Sequence, residues 1–536
     1  MNLRRYLIHF SSRNLPQVFT DVLVLGSGVA GLSAALEASE RCDVLLATKG
    51  DLMDGCTGQA QGGIACALGE GDTPAQHFED TVNVGAGLCD EEAVRILTEE
   101  APARLRQLME LGVRFDRDGD SFSMAREGGH RRARILHARG DATGAAVEST
   151  LAARIRERPA VRVLEKTFCI DLITFEGECR GALIWHPVHG LMMVQAAQTV
   201  LATGGCGRLF RETTNPPVAT GDGAATAYRA GAALRDLEFV QFHPTVLYVP
   251  GAARSLITES LRGDGALLRN RDGERFMPRY HPDAELAPRD TVSRCIAEEM
   301  KRTGHTHVYV DVRHKSRAYL RERFPTITEL CDRFGLDISK DLIPVRPAAH
   351  YQIGGVAVDA MGRSTLPGLL ACGEAASTGV HGANRLGSNS LLEGVVYGRR
   401  CGAQAAEACR SGKKWPAMKE MTSAPYEPAY SRLNIEDVSN SLRSLMWRSA
   451  GVERDGEGLA EALETITFWC HYVADREFKG PAGWELQNML TLGRLMVSGA
   501  KEREESRGAH FRSDFPKPDE AWRRHIVVTN AAERMV

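Results

Sequence analysis

The 536-residue chain is short of most features that would place it quickly. No apolar run reaches the roughly 18 to 20 residues that cross a bilayer, so no membrane span is expected. None of the 13 cysteines stands in a CxxC pair, their number is odd, and no spacing matches a zinc site or a disulfide framework. They read as reduced thiols of a cytosolic protein. Charge of one sign is not in excess either, with 66 basic against 69 acidic residues and a formal net charge of −3. That balance, without an aromatic-studded basic stretch, excludes the electrostatic footprint of a nucleic-acid or anionic-membrane partner. Short-period repeats of the solenoid kind are missing too.

What is there is ordinary for a soluble globular protein: 43% hydrophobic and 25% charged residues, enough chain for two to four domains. The opening stretch MNLRRYLIHFSSRNLPQ is basic and free of acids, as in a transit peptide. It has neither a long apolar core nor a small-residue cleavage site, so residues 1–20 read as a leader before the first strand of a cytoplasmic protein. From about 21 to 240 helical patterns alternate with short β-branched runs such as 161–164 and 194–201, which suits α/β structure around one sheet. From 241 to 350 prolines, charges and clustered Arg and His replace that texture. It returns at Gly354, and beyond 416 the chain is helical and polar. The expectation is a Rossmann-like α/β domain over 21–240 and 351–415, an inserted α+β capping domain over 241–350, and a C-terminal helical domain over 416–536.

The sharpest local signal is DVLVLGSGVAGLSAALEA, starting at Asp21. An apolar strand runs into the turn Gly26-Ser27-Gly28-Val29-Ala30-Gly31 and then into an Ala/Leu-rich helix. Gly26 permits the tight turn, Gly28 lets a pyrophosphate approach the backbone, and Gly31 lets helix pack on strand. The helix N-terminus offers free N–H groups to phosphates. The acid usually found at the end of the second strand is missing; Thr48-Lys49 stands there instead. Lys49 is either a surface residue after a strand or part of a variant that holds the ribose or phosphate. VLATGG at 200–205, TGDG at 220–223 and LLACGE at 369–374 supply further glycine turns after separate strands, the last delivering Glu374.

GSGVAGLSAA, QAQGGIA, VLATGG, TGDG, QFHPT, LAPRD, HGANRLGSNSLLE and ESRGAHFRSDFP occur in order over about 20 to 516. Together they resemble the flavoprotein family of succinate dehydrogenase, fumarate reductase and L-aspartate oxidase. The resemblance implies one FAD per chain on Gly26, Ser27, Gly28, Val29, Ala30, Gly31, Lys49, Cys56, Thr57, Gly58, Gln59, Ala60, Gln61, Gly62, Gly63, Asp222, Glu374, Ser390 and Leu391, with the backbone at Phe168 and Cys169 along the adenosine. Respiratory-complex members carry a flavin-linked histidine in the loop before QGG; Cys56 occupies that position here, where a thiolate could form a cysteinyl flavin but the resemblance to aspartate oxidases implies non-covalent FAD. Glu127, in REGGHRRARILHA, resembles a glutamate of the aspartate-oxidising branch. A carboxylate against the substrate ammonium makes a charge-assisted hydrogen bond worth roughly 1.5–3 kcal/mol and disfavours succinate. Read on its own, Glu127 is equally a solvated loop glutamate.

By the same resemblance, His243, Thr258, Glu259, His350, Arg385 and Ser388 would bind a dicarboxylate. Arginine suits a carboxylate because its planar fork bonds both oxygens, and a protonated histidine would add charge. Arg289 in LAPRD matches the proton-transfer arginine, with His243 and Glu259 as its catalytic companions; the plainer reading is a helix-start arginine paired with Asp290. The implied reaction is oxidation of L-aspartate to iminoaspartate by hydride transfer to FAD, with O2 or fumarate as acceptor. It would open NAD biosynthesis from aspartate and feed quinolinate synthase through transient contact. A succinate dehydrogenase or fumarate reductase subunit is the alternative within the family, and a tRNA-modifying flavoprotein the one outside it.

Overall fold

A computed structural model describes residues 4–250, 254–410, 420–425, 433–474 and 476–530. Strand β1 (Gln17–Leu25) leads into helix α1 (Val29–Ala38) and strand β2 (Val44–Ala47). Helix α2 (Thr143–Arg156) precedes β3 (Val161–Leu164), and a meander follows: β4 (Phe168–Phe175), β5 (Glu178–His186) and β6 (Gly190–Leu201). These strands form a seven-stranded sheet in the order β3-β2-β1-β6-β5-β4, and a late strand at Leu369–Ala371 joins it on β6. The β3-β2-β1-β6 pairs are parallel and the meander is antiparallel.

Alternation along β1 explains the layers. Val22 and Val24 enter one core with α1 and α2, while Leu23 and Leu25 enter another shared with the C-terminal helices. Opposite faces of one strand are thus both covered, which is why the strand reads as a continuous apolar run. Gly26 (φ +105°) makes the turn from β1 into α1; a Cβ there would stand 2.2 Å from the Ala202 carbonyl oxygen. A Cβ on Gly31 would meet the Gly26 carbonyl oxygen at 1.9 Å, so the helix can lie this close only without a side chain.

After helix α3 (Asp222–Ala230), strand β7 (Val240–Leu247) enters a second sheet. Helix α4 (Glu259–Gly263), β8 (Leu267–Arg269), helix α5 (Arg289–Thr303), β9 (Val308–Asp311) and β10 (Ile343–Gln352) complete the cap. Its four-stranded antiparallel sheet runs β7-β10-β9-β8 over its own core, which includes Leu247, Ile257, Phe276 and Ile296. The chain returns through β11 (Leu369–Ala371) and helix α6 (Asn389–Arg410). Helices α7 (Ile435–Ser449), α8 (Gly456–Ala474) and α9 (Pro481–Glu502) follow. The fold is α/β with an α+β cap and a C-terminal helical domain.

Two details differ from the sequence reading. β1 begins at Gln17 rather than near 21, and the preceding segment does not trail: Leu7, Ile8 and Phe10 are buried against Phe168, Ile170 and Trp484. The Leu7 N–H donates to Asp171 Oδ2 at 2.7 Å. The expected boundary at 415–416 lies outside the described residues. No helix among the described residues is long and apolar enough to cross a membrane, and none of their His, Cys, Asp and Glu side chains group as a metal site.

Candidate active site

A cavity of about 820 Å³ runs along the C-terminal ends of the parallel strands. Residues 26–30, Lys49, residues 56–61, Phe168, Cys169, Asp222, Glu374, Ser390 and Leu391 all line it; Gly31, Gly62 and Gly63 support the wall from behind. Helix α1 starts at the cavity with Gly28 as N-cap; Thr57 Oγ1 accepts from the Val29 N–H at 3.0 Å, and the following N–H groups of the first turn are left for an anion. A Cβ on Gly28 would press on the Thr57 side chain, its Oγ1 3.2 Å away, whereas at Gly26 and Gly31 it would run into backbone at 2.2 and 1.9 Å. Four buried polar atoms of the lining, on Gln61, Thr203, Arg208 and Asn215, have no partner among the described residues. Buried polar atoms are otherwise almost always bonded, so the cavity is built for a long polar ligand.

Lys49 is not a loose surface residue. Its Nζ pairs with Asp222 Oδ2 at 2.8 Å and with Glu485 Oε1 at 2.5 Å, and donates to Thr220 Oγ1 at 2.7 Å. Asn488 donates to the other Asp222 oxygen at 2.7 Å. The carboxylates absent from the end of β2 thus come from α3 and α9, which no local motif announces. The Cys56 thiol is pushed well above its usual range by burial and by Glu374 and Glu148, so it is no thiolate nucleophile. Burial also lifts Glu374, whose Oε1 accepts from the Gln352 N–H, to about 7.

At one end the cavity reaches His350 on β10. Antiparallel pairing of β7 with β10 brings His243 and His350 together, with ring centroids 5.1 Å apart. Burial and the guanidiniums of Arg289 and Arg385 hold both imidazoles well below their usual pKa. They are hydrogen-bonding groups and not the charges that protonation would make them. His350 Nδ1 lies 2.9 Å from Thr214 Oγ1, while His243 Nε2 is buried without a partner among the described residues.

Beside them the charged groups cluster. Arg289, the first residue of α5, pairs through Nε with Glu259 Oε2, while Asp290 bonds Asn384 and Arg294 instead. Arg262 Nη2 lies 3.5 Å from the other Glu259 oxygen. Although burial raises Glu259, Arg289 and Arg262 hold it below the ordinary carboxylate range. Arg385 donates to Gln241 Oε1 and Ser390 Oγ, each at 2.9 Å, and stacks 4.5 Å from the centre of the Tyr351 ring. Glu127 is only 1% exposed and accepts from Ser388 Oγ at 2.8 Å and Ser260 Oγ at 3.1 Å. Burial and neighbouring Glu259 raise its carboxyl. Thr258 does not join the charges directly; it N-caps α4 and accepts from Ser260 N–H, fixing the hydroxyl that reaches Glu127. Gln241, Ser260 and Arg262 are the members the sequence did not single out, although Gln241 opens QFHPT and both Ser260 and Arg262 lie in the charged stretch TESLRGDG.

A model described as an FAD binding domain matches residues 21–391, and one described as the fumarate reductase flavoprotein C-terminus matches 439–536. The chain is 46% identical to an L-aspartate oxidase of Streptomyces coelicolor over 95% of its own length and 91% of that protein's. It is 42% identical to one from Pseudomonas aeruginosa, over 92% and 95%. The chain belongs to the flavoprotein family of fumarate reductases, succinate dehydrogenases and L-aspartate oxidases. Among solved structures of this family, an E. coli quinol fumarate reductase FrdA mutant superposes with a TM-score of 0.90 at 31% identity, over 97% of this chain and 96% of that one. Mycobacterium smegmatis Sdh1 follows with 0.83 at 34%, over 96% and 92%. The cofactor of this flavoprotein is FAD, and the first-turn N–H groups of α1 beyond Val29 and the unpartnered lining atoms fit it.

The family motif near the C-terminus braces this site from outside. Ala509 N–H donates to the Ala383 carbonyl at 2.9 Å, and Arg294 of α5 donates to the Gly508 carbonyl at 3.0 Å. Behind them Arg507 grips Glu505 with two bonds at 2.8 and 2.9 Å, and Arg512 grips Asp514.

Proposed function

We propose that this flavoprotein oxidises L-aspartate to iminoaspartate as the first step of NAD biosynthesis from aspartate. The observation that carries the reading is a buried carboxylate, Glu127, set among three guanidiniums. Arg262, Arg289 and Arg385 with Glu127 and Glu259 make five charges, one more positive than negative when all are ionised. L-aspartate, with two carboxylates and one ammonium, carries the single negative charge that balances them. Succinate carries two and has nothing to offer Glu127.

Arg385 suits one substrate carboxylate through its planar fork, and the neutral His243 and His350 supply hydrogen bonds to the other. Glu127 receives the ammonium and sets which face of Cα is presented. Arg289, held by Glu259, stabilises charge developing on the substrate and is the group placed to exchange a proton. Residues 26–30, 56–61 and Asp222 would hold FAD, which would supply the acceptor for the electron pair, with O2 or fumarate as the final oxidant. The Cys56 thiol, kept protonated, suits a cofactor that is not covalently linked. The setting is the cytoplasm, and because an imine of this kind hydrolyses readily, brief contact with quinolinate synthase as consumer of the product fits the chemistry.

Anaerobic mixing with L-aspartate, and separately with succinate, tests the reading by the flavin band at roughly 450 nm. L-aspartate should bleach it. Bleaching by succinate alone would move the protein to the dehydrogenase branch.

A further inference from the structure

Glu127, Gly128, Gly129 and His130 form one tight turn, closed by the His130 N–H donating to the Glu127 carbonyl at 3.2 Å. Both central glycines are sterically required: a Cβ on Gly128 would stand 2.6 Å from Glu259 Oε1, and Gly129 adopts φ +83°. The two ends of the turn are therefore rigidly related, and both reach the same peptide. Ser388 Oγ donates to Glu127 Oε2 at 2.8 Å, and the Gly387 carbonyl oxygen lies 3.0 Å from His130 Nε2. A carbonyl can only accept, so Nε2 carries the proton and His130 is the donor.

The peptide they hold is a demanding one. Ser388 has φ +61°, a left-handed conformation that costs a non-glycine residue on the order of 1–3 kcal/mol and persists only where its surroundings enforce it. A Cβ on Gly387 would lie 2.8 Å from Glu127 Oε2 and 3.3 Å from Arg289 Nη2, so this backbone forms a wall of the charged cluster itself. The His130 ring is buried, which pushes its pKa down to about 4 and keeps it a neutral donor. Its Nδ1 has no partner among the described residues, so the bond to Gly387 is the ring's one polar tie.

We infer that His130 is a specificity-determining positioning residue, whose hydrogen bond to the Gly387 carbonyl fixes the Gly387–Ser388 peptide and, through Ser388, holds the Glu127 carboxylate where the ammonium of an amino diacid arrives. The inference rests on L-aspartate being the substrate and adds the device that aims its selective group. His130 acts through Glu127 and touches neither substrate nor cofactor.

The test compares H130Q, which keeps an N–H donor, with H130M, which has similar length and none. Each is measured as the FAD-loaded enzyme for KM toward L-aspartate and for competitive inhibition by succinate, with FAD content as the check on folding. H130M should raise the KM about tenfold, the scale of one well-placed hydrogen bond, and leave succinate inhibition within about twofold. H130Q should recover most of the loss. An unchanged KM in H130M, an equal loss of succinate affinity, or an H130Q no better than H130M overturns the inference. Wild-type flavin that L-aspartate fails to bleach overturns the proposed function and this inference with it; bleaching beside an unmoved H130M overturns the inference alone.

Discussion

Glu127 is a carboxylate in a place where water cannot solvate it, and its value depends on what arrives to pair with it. Burial and Glu259 raise its pKa above the usual carboxylate range, so acid neutralises it early. The sign follows. As pH falls through that raised pKa the uncharged carboxyl loses its attraction for the substrate ammonium, and the KM for L-aspartate should rise. Succinate has no ammonium, and its inhibition should hold or tighten over the same range. Glu127→Gln should raise the KM for L-aspartate about tenfold to a hundredfold, corresponding to roughly 1.5–3 kcal/mol, and flatten this pH dependence. Steady-state KM and succinate inhibition constants across pH decide it; an E127Q enzyme with an unaltered preference removes Glu127 from the selectivity argument. The glutamate was visible in REGGH, whereas its burial was not. The same blind spot left open whether His243 and His350 add charge or only hydrogen bonds, because charge state depends on neighbours contributed by distant strands.

At the scale of elements, three helices converge on the cofactor cavity and each brings an acid. Helix α2 places Glu148 beneath the loop that carries Cys56; a Cβ on Gly58 would stand 2.6 Å from its Oε2. The side chain is fully buried and both oxygens lack partners among the described residues. Burial and Asp54 push its pKa to about 8. A carboxyl raised above its unfolded value near 4.3 keeps its proton in the folded state while the unfolded chain loses it, so stability falls as pH rises between those values. The melting temperature of the wild type should therefore decline from about pH 5 toward pH 8, and Glu148→Gln should lessen that decline. Equal slopes for the two proteins would dismiss Glu148 as the cause. Helices α3 and α9 bring Asp222 and Glu485 to Lys49. Glu485→Gln leaves Lys49 with one carboxylate and should weaken FAD retention several-fold, read as flavin fluorescence gained on dilution; unaltered retention would make the α9 contact incidental. The GSGVAG turn announced where the cofactor lies, but nothing near Thr48-Lys49 could show that its counter-charges come from two distant helices, one of them more than four hundred residues away.

Over the whole molecule, the order of motifs was enough to read an α/β core, a cap and a helical domain, because each strand-turn-helix unit carries its own glycines and apolar run. What fastens these parts together was not readable, since it is made of buried ion pairs between segments far apart in sequence. Arg503, at the end of α9, is fully buried, bonds Glu238 Oε1 at 2.8 Å and Glu505 Oε1 at 3.2 Å, and lies 4.8 Å from the centre of the Phe239 ring. Glu238 stands two residues before β7, where the chain enters the cap, so this one guanidinium ties the helical domain to the root of the cap. Removing one partner of a buried ionic network strands the others in low dielectric, at a cost of about 3–5 kcal/mol. Arg410 and Glu407, by contrast, pair on the surface with side chains 62% and 66% exposed, where such a contact is worth about 0–1 kcal/mol. Arg503→Ala should therefore lower the melting temperature of the FAD-loaded protein by several degrees, with flavin released in the same transition, while Arg410→Ala leaves it nearly unmoved. Equal melting temperatures for the two variants would mean that the buried network contributes no more than an exposed pair, and that apolar packing between sheet and helices alone holds the domains in register.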